Sequence, residues 1–493
     1  MNTIESHEGR LITVSNRLPI VLTRDKNGNW QIEPGNGGLI TALAPVLRNR
    51  GGSWIGWPGT IEEDEVDLEP LLAEATASSG YDLKPVILTA TEHDKFYLGF
   101  SNEIIWPLFH DLQTRCNFDP SYWQTYETVN RKFAQAIAEH SQPADYIWVH
   151  DYHLINVARD MRALGLTNAV GFFLHIPFPS LDIFLKLPWR FQILQAMLEY
   201  DLIGFQTMRD RQNFVQCVRT LLKNVNIHGK GPVISADIGD RRVRICALPI
   251  GIDFQMFSQQ AASQAVADAA WYIHEDFPNR TIIFSTDRLD YTKGIPEKLS
   301  AFRHALLRYP EMHEQVTLVQ TLVPSRTDIR EYAALKAEIE QLVGEINGQF
   351  TRSGWVPIHY IYQRIDFTTL LAYYRASEIA LITPLKDGMN LVAKEYCACS
   401  LEDGVLILSE FAGAATQLHR DALLVNPYDV EGVAAAIYRA WKMSREERRN
   451  RMRNMRRIIR ERDIFWWVDS FLEAGSAPSL SSFTQIEEFV PIY

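Results

Sequence analysis

Short apolar runs recur along the chain, each closed by a polar loop and most followed by a stretch with helical spacing. The first series of runs covers residues 11–14, 146–149, 170–174, 201–205 and 244–248, with helical patterns over 123–139, 183–199 and 209–222. A second series opens near residue 281, with runs at 281–285, 316–322, 359–362, 379–382 and 405–408. Runs of this length, rich in Val, Ile and Leu on every face, predict buried strands. Strands alternating with helices predict parallel sheets. The fold class expected is α/β, with two Rossmann-like domains facing across a cleft. In such sheets ligands bind beyond the carboxyl ends of the strands, so the loops that close the runs are where chemistry is expected.

The loops of the second series carry charge beside glycine. Residues 379–382 lead to Asp387-Gly388-Met389-Asn390 and then to a helical pattern from Leu391, with Glu395 two turns in on roughly the same side as Asp387. Glycine permits close backbone approach, and the first turn of a helix offers free N–H groups to an anion. Asp387 is an acceptor-only group suited to sugar hydroxyls. Two readings follow: a site for a sugar joined to a diphosphate, or a Rossmann-like turn with a helix-capping aspartate. Arg288 and Lys293, five residues apart and beside Gly294 at the end of the 281–285 run, suit a diphosphate. The next run ends in Pro324-Ser325-Arg326, and the last in a small-residue turn at Gly413 and Ala415.

In the first series, residues 11–14 are expected to open into a loop at Ser15-Asn16-Arg17. A second glycine loop, Gly35 to Gly38, feeds a helical pattern over 39–47. The acidic stretch 62–69 is expected as a solvated, mobile loop. Tyr97, Ser101, Asn102 and Trp106 lie in an aromatic segment that reads as core before it reads as a ligand platform. Asp151 and His175 follow two of the runs and so fall at strand ends. Ser444 opens a helix with a capping-box pattern, and the arginines from 445 to 462 read as a solvated helix face. Phe465, Trp466 and Trp467 begin an apolar helix expected to pack across the two domains.

Composition narrows the class of function. The chain has 493 residues, ordinary hydrophobic and charged fractions of 46% and 22%, and a net charge of −11. That charge argues against a general nucleic-acid binder and leaves any phosphate site to local cations. Cys116, Cys217, Cys246, Cys397 and Cys399 form no C-x-x-C pair and read as reduced thiols, with Cys397 and Cys399 too few to make a metal site. The N-terminus carries no signal-peptide core, and no apolar run approaches membrane-spanning length. A cytoplasmic protein without a membrane or nucleic-acid partner is expected.

Taken in order, the motifs are specific. Ser15-Asn16-Arg17-Leu18-Pro19, Gly37-Gly38-Leu39, Trp54-Ile55-Gly56-Trp57, Ser101-Asn102 with Trp106-Pro107, His150-Asp151-Tyr152-His153 and His175-Ile176-Pro177-Phe178-Pro179 precede Arg288-Leu289-Asp290-Tyr291, Lys293-Gly294 and the segment Asp387 to Tyr396. From about Leu11 to about Leu472 the chain resembles the trehalose-6-phosphate synthase family, retaining glycosyltransferases of the GT-B fold. The resemblance implies an acceptor domain at 1–248, joined by a C-terminal helix at about 466–485, and a nucleotide-sugar donor domain at 249–465. With no phosphatase-like domain following, it implies a stand-alone synthase.

The implied reaction moves glucose from a nucleotide diphosphate glucose, usually UDP-glucose, to glucose 6-phosphate, giving α,α-trehalose 6-phosphate. No cofactor or metal is implied, and a homo-oligomer is left open. Positions matching Arg17, Tyr97, Trp106 and Arg326 would surround the acceptor phosphate, and Asp151 would contact acceptor hydroxyls. His175 would lie near the donor glucose. Gly38, Arg288 and Lys293 would face the diphosphate. Asp387, Gly388, Met389, Asn390 and Leu391 would face the donor sugar, Glu395 the ribose, and Arg364 with Ile365 the base. Arg288, Lys293, His175 and Asp151 are the residues implied in catalysis. The neighbouring reading is a glucosylglycerol-phosphate synthase, using ADP-glucose and glycerol 3-phosphate: Leu187-Pro188-Trp189-Arg190 resembles that group, and Ile155 to Ala158 departs from the usual Leu/Pro-rich run of the synthases. A non-enzyme reading is a sugar-phosphate sensor, which would predict a damaged donor site.

Overall fold

The computed structural model describes residues 9–24, 28–35, 38–64, 66–325, 330–401 and 403–476. The chain divides into two compact units. One runs to Leu248 and resumes at Trp467, and the other is Pro249–Trp466.

Among the described residues the first unit holds eleven strands: β1 (Leu11–Arg17), β2 (Ile20–Arg24), β3 (Trp30–Pro34), β4 (Ser53–Trp57), β5 (Asp82–Pro85), β6 (Tyr146–His150), β7 (Val170–Leu174), β8 (Leu202–Phe205), β9 (Val225–His228), β10 (Val233–Ile238) and β11 (Arg241–Ala247). Nine of them form one sheet in the order β5-β4-β1-β6-β7-β8-β11-β10-β9, and β2 pairs with β3 as a separate hairpin. The sheet is parallel from β5 to β11, while β10 and β9 add on antiparallel. The strands β4, β6 and β7 are buried at every position, because helices cover both faces of a parallel sheet. The strand order reverses at β1, which has β4 on one side and β6 on the other, so the crevice for a ligand lies at the carboxyl ends of β1 and β6.

The segment Ile464–Ser476 is helical. From Trp467 onward it belongs to the first unit for a packing reason. Phe471 stacks on Trp148 at 4.5 Å, and Trp467 stacks on Trp148 at 4.9 Å while its indole N–H donates to the Leu248 carbonyl. Gly171 and Gly204 make room for this, since a Cβ on either would come within 3.0 Å of the Phe471 ring.

The second unit holds β12 (Thr281–Arg288), β13 (Val316–Val323), β14 (Ile358–Tyr362), β15 (Ile379–Ile382), β16 (Val405–Ser409) and β17 (Leu423–Val425). All are parallel, in the order β14-β13-β12-β15-β16-β17. Here the order reverses between β12 and β15, again locating the ligand crevice.

Several local expectations need correcting. The strand β1 continues through Ser15 and Asn16 to Arg17 rather than opening into a loop at Ser15. The acidic stretch is not simply a loop: Glu62–Asp64 is a 3₁₀ turn whose Glu63 carboxylate accepts from the Ala90 N–H, and a helix begins at Leu68. The single helix expected over 183–199 is two, Leu181–Phe184 and Arg190–Met197, because Pro188 between them cannot continue a helical ladder. The helix Arg445–Glu461 is not simply a solvated face. Arg448 donates to the carbonyls of Ala440, Trp441 and Met443, and Arg456 to those of Cys397, Ala398 and Ser400. Two arginines thus sit on the negative carboxyl ends of the helices Val430–Lys442 and Leu391–Cys399. Ser444 caps this helix by accepting from the Glu447 N–H. All five cysteines are free thiols. Among the described residues no helix is long and apolar enough to cross a membrane.

Candidate active site

On the first unit the site begins with a bulge. Val14 pairs with Ile55 and Arg17 with Trp57, so β1 spends one residue more than β4 over this interval. Ser15 fixes the extra residue: its hydroxyl donates to the Arg17 carbonyl at 2.7 Å and accepts from the Trp54 indole at 2.8 Å. Gly56 leaves space, since a Cβ there would lie 2.8 Å from the Arg17 backbone. One added residue re-aims the side chain that follows, and the Arg17 guanidinium lies over the Trp57 ring at 4.5 Å. Gly59, at φ +101°, closes it from behind, where a Cβ would be 2.4 Å from Nη1. Burial lowers the Arg17 pKa, with Tyr97 acting in the opposite sense. Among the described residues no carboxylate is paired with this cation.

Tyr97 lies within a wide-turn helix, His93–Ile105, closed by a bond from the Trp106 N–H to the Ser101 carbonyl. That winding buries Phe96, Phe100, Ile104 and Ile105 completely. Part of the aromatic segment is therefore core. Tyr97 instead packs on Trp57 at 5.8 Å and stacks with His153 at 6.0 Å. His153 packs on Tyr152, and Tyr152 on Trp106 at 5.9 Å. A continuous ring path thus brings Arg17, Tyr97 and Trp106 to one locality. Asn102 fixes it, accepting from the Tyr152 hydroxyl and donating to the Tyr97 carbonyl. Trp57, His93 and His153 belong to this cluster. The signal that could have found them is the density of aromatics with polar tips.

Asp151 follows β6 with φ +73° and ψ 168°, a conformation open chiefly to glycine. Its amide donates to the Phe173 carbonyl at 2.8 Å, and its Oδ1 accepts from the His175 N–H at 3.2 Å. Those bonds hold a strain of about 1–3 kcal/mol at the carboxyl edge of the sheet. His175 lies beside it but is 2% exposed, with both ring nitrogens already engaged: Nδ1 with the Gln206 amide and Nε2 with His150 Nδ1, each at 3.1 Å. Burial holds both histidines neutral, pushing His175 down to about 3 and His150 well below its ordinary range. His175 is thus geometrically a buttress of the Asp151 loop.

On the second unit the two switch-point loops are joined. Leu385 donates its N–H to the Thr292 carbonyl at 2.8 Å. Gly294, at φ +62°, has no room for a Cβ against the Thr383 carbonyl and Leu385. Asp290 shapes the turn before it by accepting from the Thr292 N–H and hydroxyl, and Tyr332 donates to its other oxygen. The outcome is an ion pair, Lys293 Nζ to Asp387 Oδ2 at 2.6 Å, with both side chains largely buried. Arg288 ends β12 exposed, and no carboxylate among the described residues pairs with it.

Asp387 is not a free acceptor: its oxygens are engaged by the turn that it opens, ahead of the first helical turn at Leu391. Oδ1 of Asp387 accepts from the N–H groups of Met389 and Asn390, and Oδ2 from the Asn390 side chain. Asn390, in the left-handed region at φ +60°, caps the Ala393 N–H. The capping aspartate and the charged site are one object: Asp387 folds the turn and orients Lys293. Gly413 lets the neighbouring loop close on it, since a Cβ there would lie 1.8 Å from the Gly388 carbonyl. Leu391 begins the helix. Glu395, one of its inner residues, accepts from the Tyr374 hydroxyl at 2.9 Å, and burial pushes its carboxyl up to about 7. Arg364 and Ile365 follow β14, the edge strand, two strands away from β12. Gly38 is the first residue of the helix Gly38–Arg50 on the first unit. Gly37 and Arg326 lie outside the described residues. Among the described residues no group of three or more His, Cys, Asp or Glu side chains is arranged to hold a metal ion.

Known proteins resemble this chain over nearly its whole length. The pattern of glycosyltransferase family 20 matches residues 9–476. The trehalose-6-phosphate synthase of Mycolicibacterium gilvum (strain PYR-GCK) is 41% identical over 478 residues, spanning 95% of this chain and 94% of that one. The α,α-trehalose-phosphate synthase (UDP-forming) of Burkholderia xenovorans, solved with glucose 6-phosphate, superposes with a TM-score of 0.85 at 34% identity, covering 95% of this chain and all of that one. The E. coli protein solved with UDP-2-fluoro glucose superposes with a TM-score of 0.84 at 36% identity, covering 95% and 99%. With two Rossmann-like α/β units, each carrying charged side chains at its strand-order reversal, the chain is a glycosyltransferase of the GT-B fold and belongs to family 20, the trehalose-6-phosphate synthases.

Proposed function

We propose that this chain transfers glucose, with retention, from UDP-glucose to glucose 6-phosphate, releasing UDP and forming α,α-trehalose 6-phosphate. The observation that carries the acceptor assignment is the Arg17 guanidinium, stacked on Trp57 and without a carboxylate partner among the described residues. A part-buried cation of that kind is matched by a phosphate, to which its fork can donate twice. Tyr97 and Trp106 add a phenol and an indole N–H nearby, Asp151 receives acceptor hydroxyls, and Arg326, outside the described residues, is assigned to the phosphate by the family resemblance alone. His175 keeps the Asp151 loop in place. The relatives' names and the ligands in their solved structures, glucose 6-phosphate and a UDP-sugar, support the same pair of substrates.

Arg288 and Lys293 meet the diphosphate, aided by the helix start at Gly38. The turn from Asp387 to Leu391 meets the donor sugar, Glu395 the ribose and Ile365 the base. In the reaction the bond from the glucose anomeric carbon to the diphosphate oxygen breaks. The acceptor hydroxyl oxygen bonds to that carbon on the same face, and its proton passes to the leaving phosphate oxygen. No side-chain nucleophile is required. The protein's work is positioning and neutralising the charge that builds on the leaving group, which falls to Arg288 and Lys293.

Trp189, a departure toward the glucosylglycerol-phosphate synthases, has a packing explanation: it stacks on Trp123 at 5.7 Å and meets Phe100 edge-on at 5.5 Å. The test crosses UDP-, ADP- and GDP-glucose with glucose 6-phosphate and glycerol 3-phosphate, measuring nucleotide release and the anomeric configuration of the product. Fastest turnover with UDP-glucose and glucose 6-phosphate is expected. Turnover confined to ADP-glucose with glycerol 3-phosphate, or calorimetric binding with no turnover, overturns the proposal.

A further inference from the structure

Glu395 is held by a contact that the transfer reaction does not explain. Tyr374, on the helix Phe367–Ala376, is 1% exposed, and its hydroxyl donates to Glu395 Oε2 at 2.9 Å. The ring has little freedom to move. Phe284 meets it edge-on at 5.8 Å, and Tyr396 does so from the other helix at 6.4 Å. Arg456, from the helix Arg445–Glu461, is the cation at the carboxyl end of the helix that carries Glu395, spent on the carbonyls of Cys397, Ala398 and Ser400 and not on Glu395. Cys399 is the nearby titratable group on its own helix, and Asp287 faces Tyr374 from the end of β12. The adjacent Lys394 points away and donates to the Ile250 carbonyl. Among the described residues no cation is paired with Glu395, so one neutral hydroxyl is what favours its carboxylate form.

We infer that Tyr374 is a positioning residue for donor binding, holding the Glu395 carboxyl charged and oriented to accept the two hydroxyls of the donor ribose. This rests on the reading that Glu395 receives the ribose. A carboxylate accepts from both hydroxyls, whereas a carboxylic acid spends one oxygen as a donor. Burial already pushes this group up to about 7, so donor affinity turns on protonation near neutral pH. Removing the hydroxyl withdraws a bond that stabilises the charged form and moves the transition upward.

The experiment is Tyr374→Phe, which keeps the packed ring, beside Glu395→Gln and the double variant. The KM for UDP-glucose and kcat are measured from pH 6 to 9 at saturating glucose 6-phosphate. In the parent, donor KM rises as pH falls through about 7. In Tyr374→Phe the same rise is displaced upward by about one pH unit, giving roughly a threefold higher donor KM at pH 7.5, parental KM at pH 9 and unchanged kcat. In the Glu395→Gln background, adding Tyr374→Phe changes nothing. A Tyr374→Phe profile superimposable on the parent, or an equal effect of Tyr374→Phe with Gln at 395, overturns the inference. If UDP-glucose is not a substrate, the reading beneath it fails separately. UDP affinity measured by calorimetry in the same variants then decides: a displaced pH midpoint supports the coupling, and an unmoved one overturns it.

Discussion

Replacing Arg17 by methionine should make the protein more stable and less active. The guanidinium sits against Trp57, backed by Gly59, with no carboxylate paired to it among the described residues. Holding a cation in that setting costs several kcal/mol of hydration, offset by a cation–π contact of about 0.5–2 kcal/mol. Methionine keeps much of the apolar stem and removes the charge. A gain of roughly 1–2 kcal/mol, or about 2–6 °C in Tm, is expected. If Arg17 holds the acceptor phosphate as proposed, the same change removes two charge-assisted hydrogen bonds, each about 1.5–3 kcal/mol. With the other donors of the proposed phosphate site retaining part of the contact, kcat/KM for glucose 6-phosphate should fall by about 10²–10³. Turnover with unphosphorylated glucose as the acceptor, whatever its level in the parent, should hardly change. Thermal melting without substrates, together with nucleotide release for both acceptors, reads the two effects. A lower Tm with an unaltered KM for glucose 6-phosphate would refute the reasoning, because it would make Arg17 a structural cation.

Lys293→Ala or Arg288→Ala should lower kcat by about 10²–10³ through lost stabilisation of the leaving diphosphate, as steady-state kinetics at saturating substrates would reveal; near-normal turnover in either would remove that residue from the role. Lys293→Ala should in addition loosen the Asp387 turn, since their ion pair spans the two switch-point loops, so donor KM rises in Lys293→Ala more than in Arg288→Ala. Acidification should destabilise the first unit. His175 stays neutral down to about 3 when folded but takes up a proton near 6.5 when unfolded, so the unfolded state binds more protons in that window and stability falls as pH drops through it. The slope is about 1.4 kcal/mol per pH unit for each such histidine. Melting from pH 7.5 to 5 should be steeper in the parent than in His175→Gln, and equal slopes would contradict the buried neutral pair.

The strand-end placement of much of the candidate site was readable from the residues, because local chemistry constrains local structure. Arg288, Lys293, Asp387 and Asp151 follow apolar runs, and the carboxyl ends of parallel strands are where such folds bind ligands. Contacts between segments far apart in the chain were not readable. Asp387 looked like a free acceptor until its turn proved to consume the Met389 and Asn390 N–H groups and to hold Lys293, 94 residues away in sequence. His175 looked available until Gln206 and His150 took both ring nitrogens. The arginines after Ser444 looked solvated, but two of them terminate other helices.

By itself the sequence determined the strand–helix alternation, the two series and the residues at their loop ends, because period, glycine and strand-end position are properties of neighbours along the chain. Only the tertiary structure decided which of those groups are spoken for. The β1 bulge that turns Arg17 onto Trp57, the ion pair between two switch-point loops, and the Tyr374 hydroxyl on Glu395 each depend on strand register and helix packing. Those are settled by burying both faces of each sheet, a long-range condition that no short stretch of residues carries.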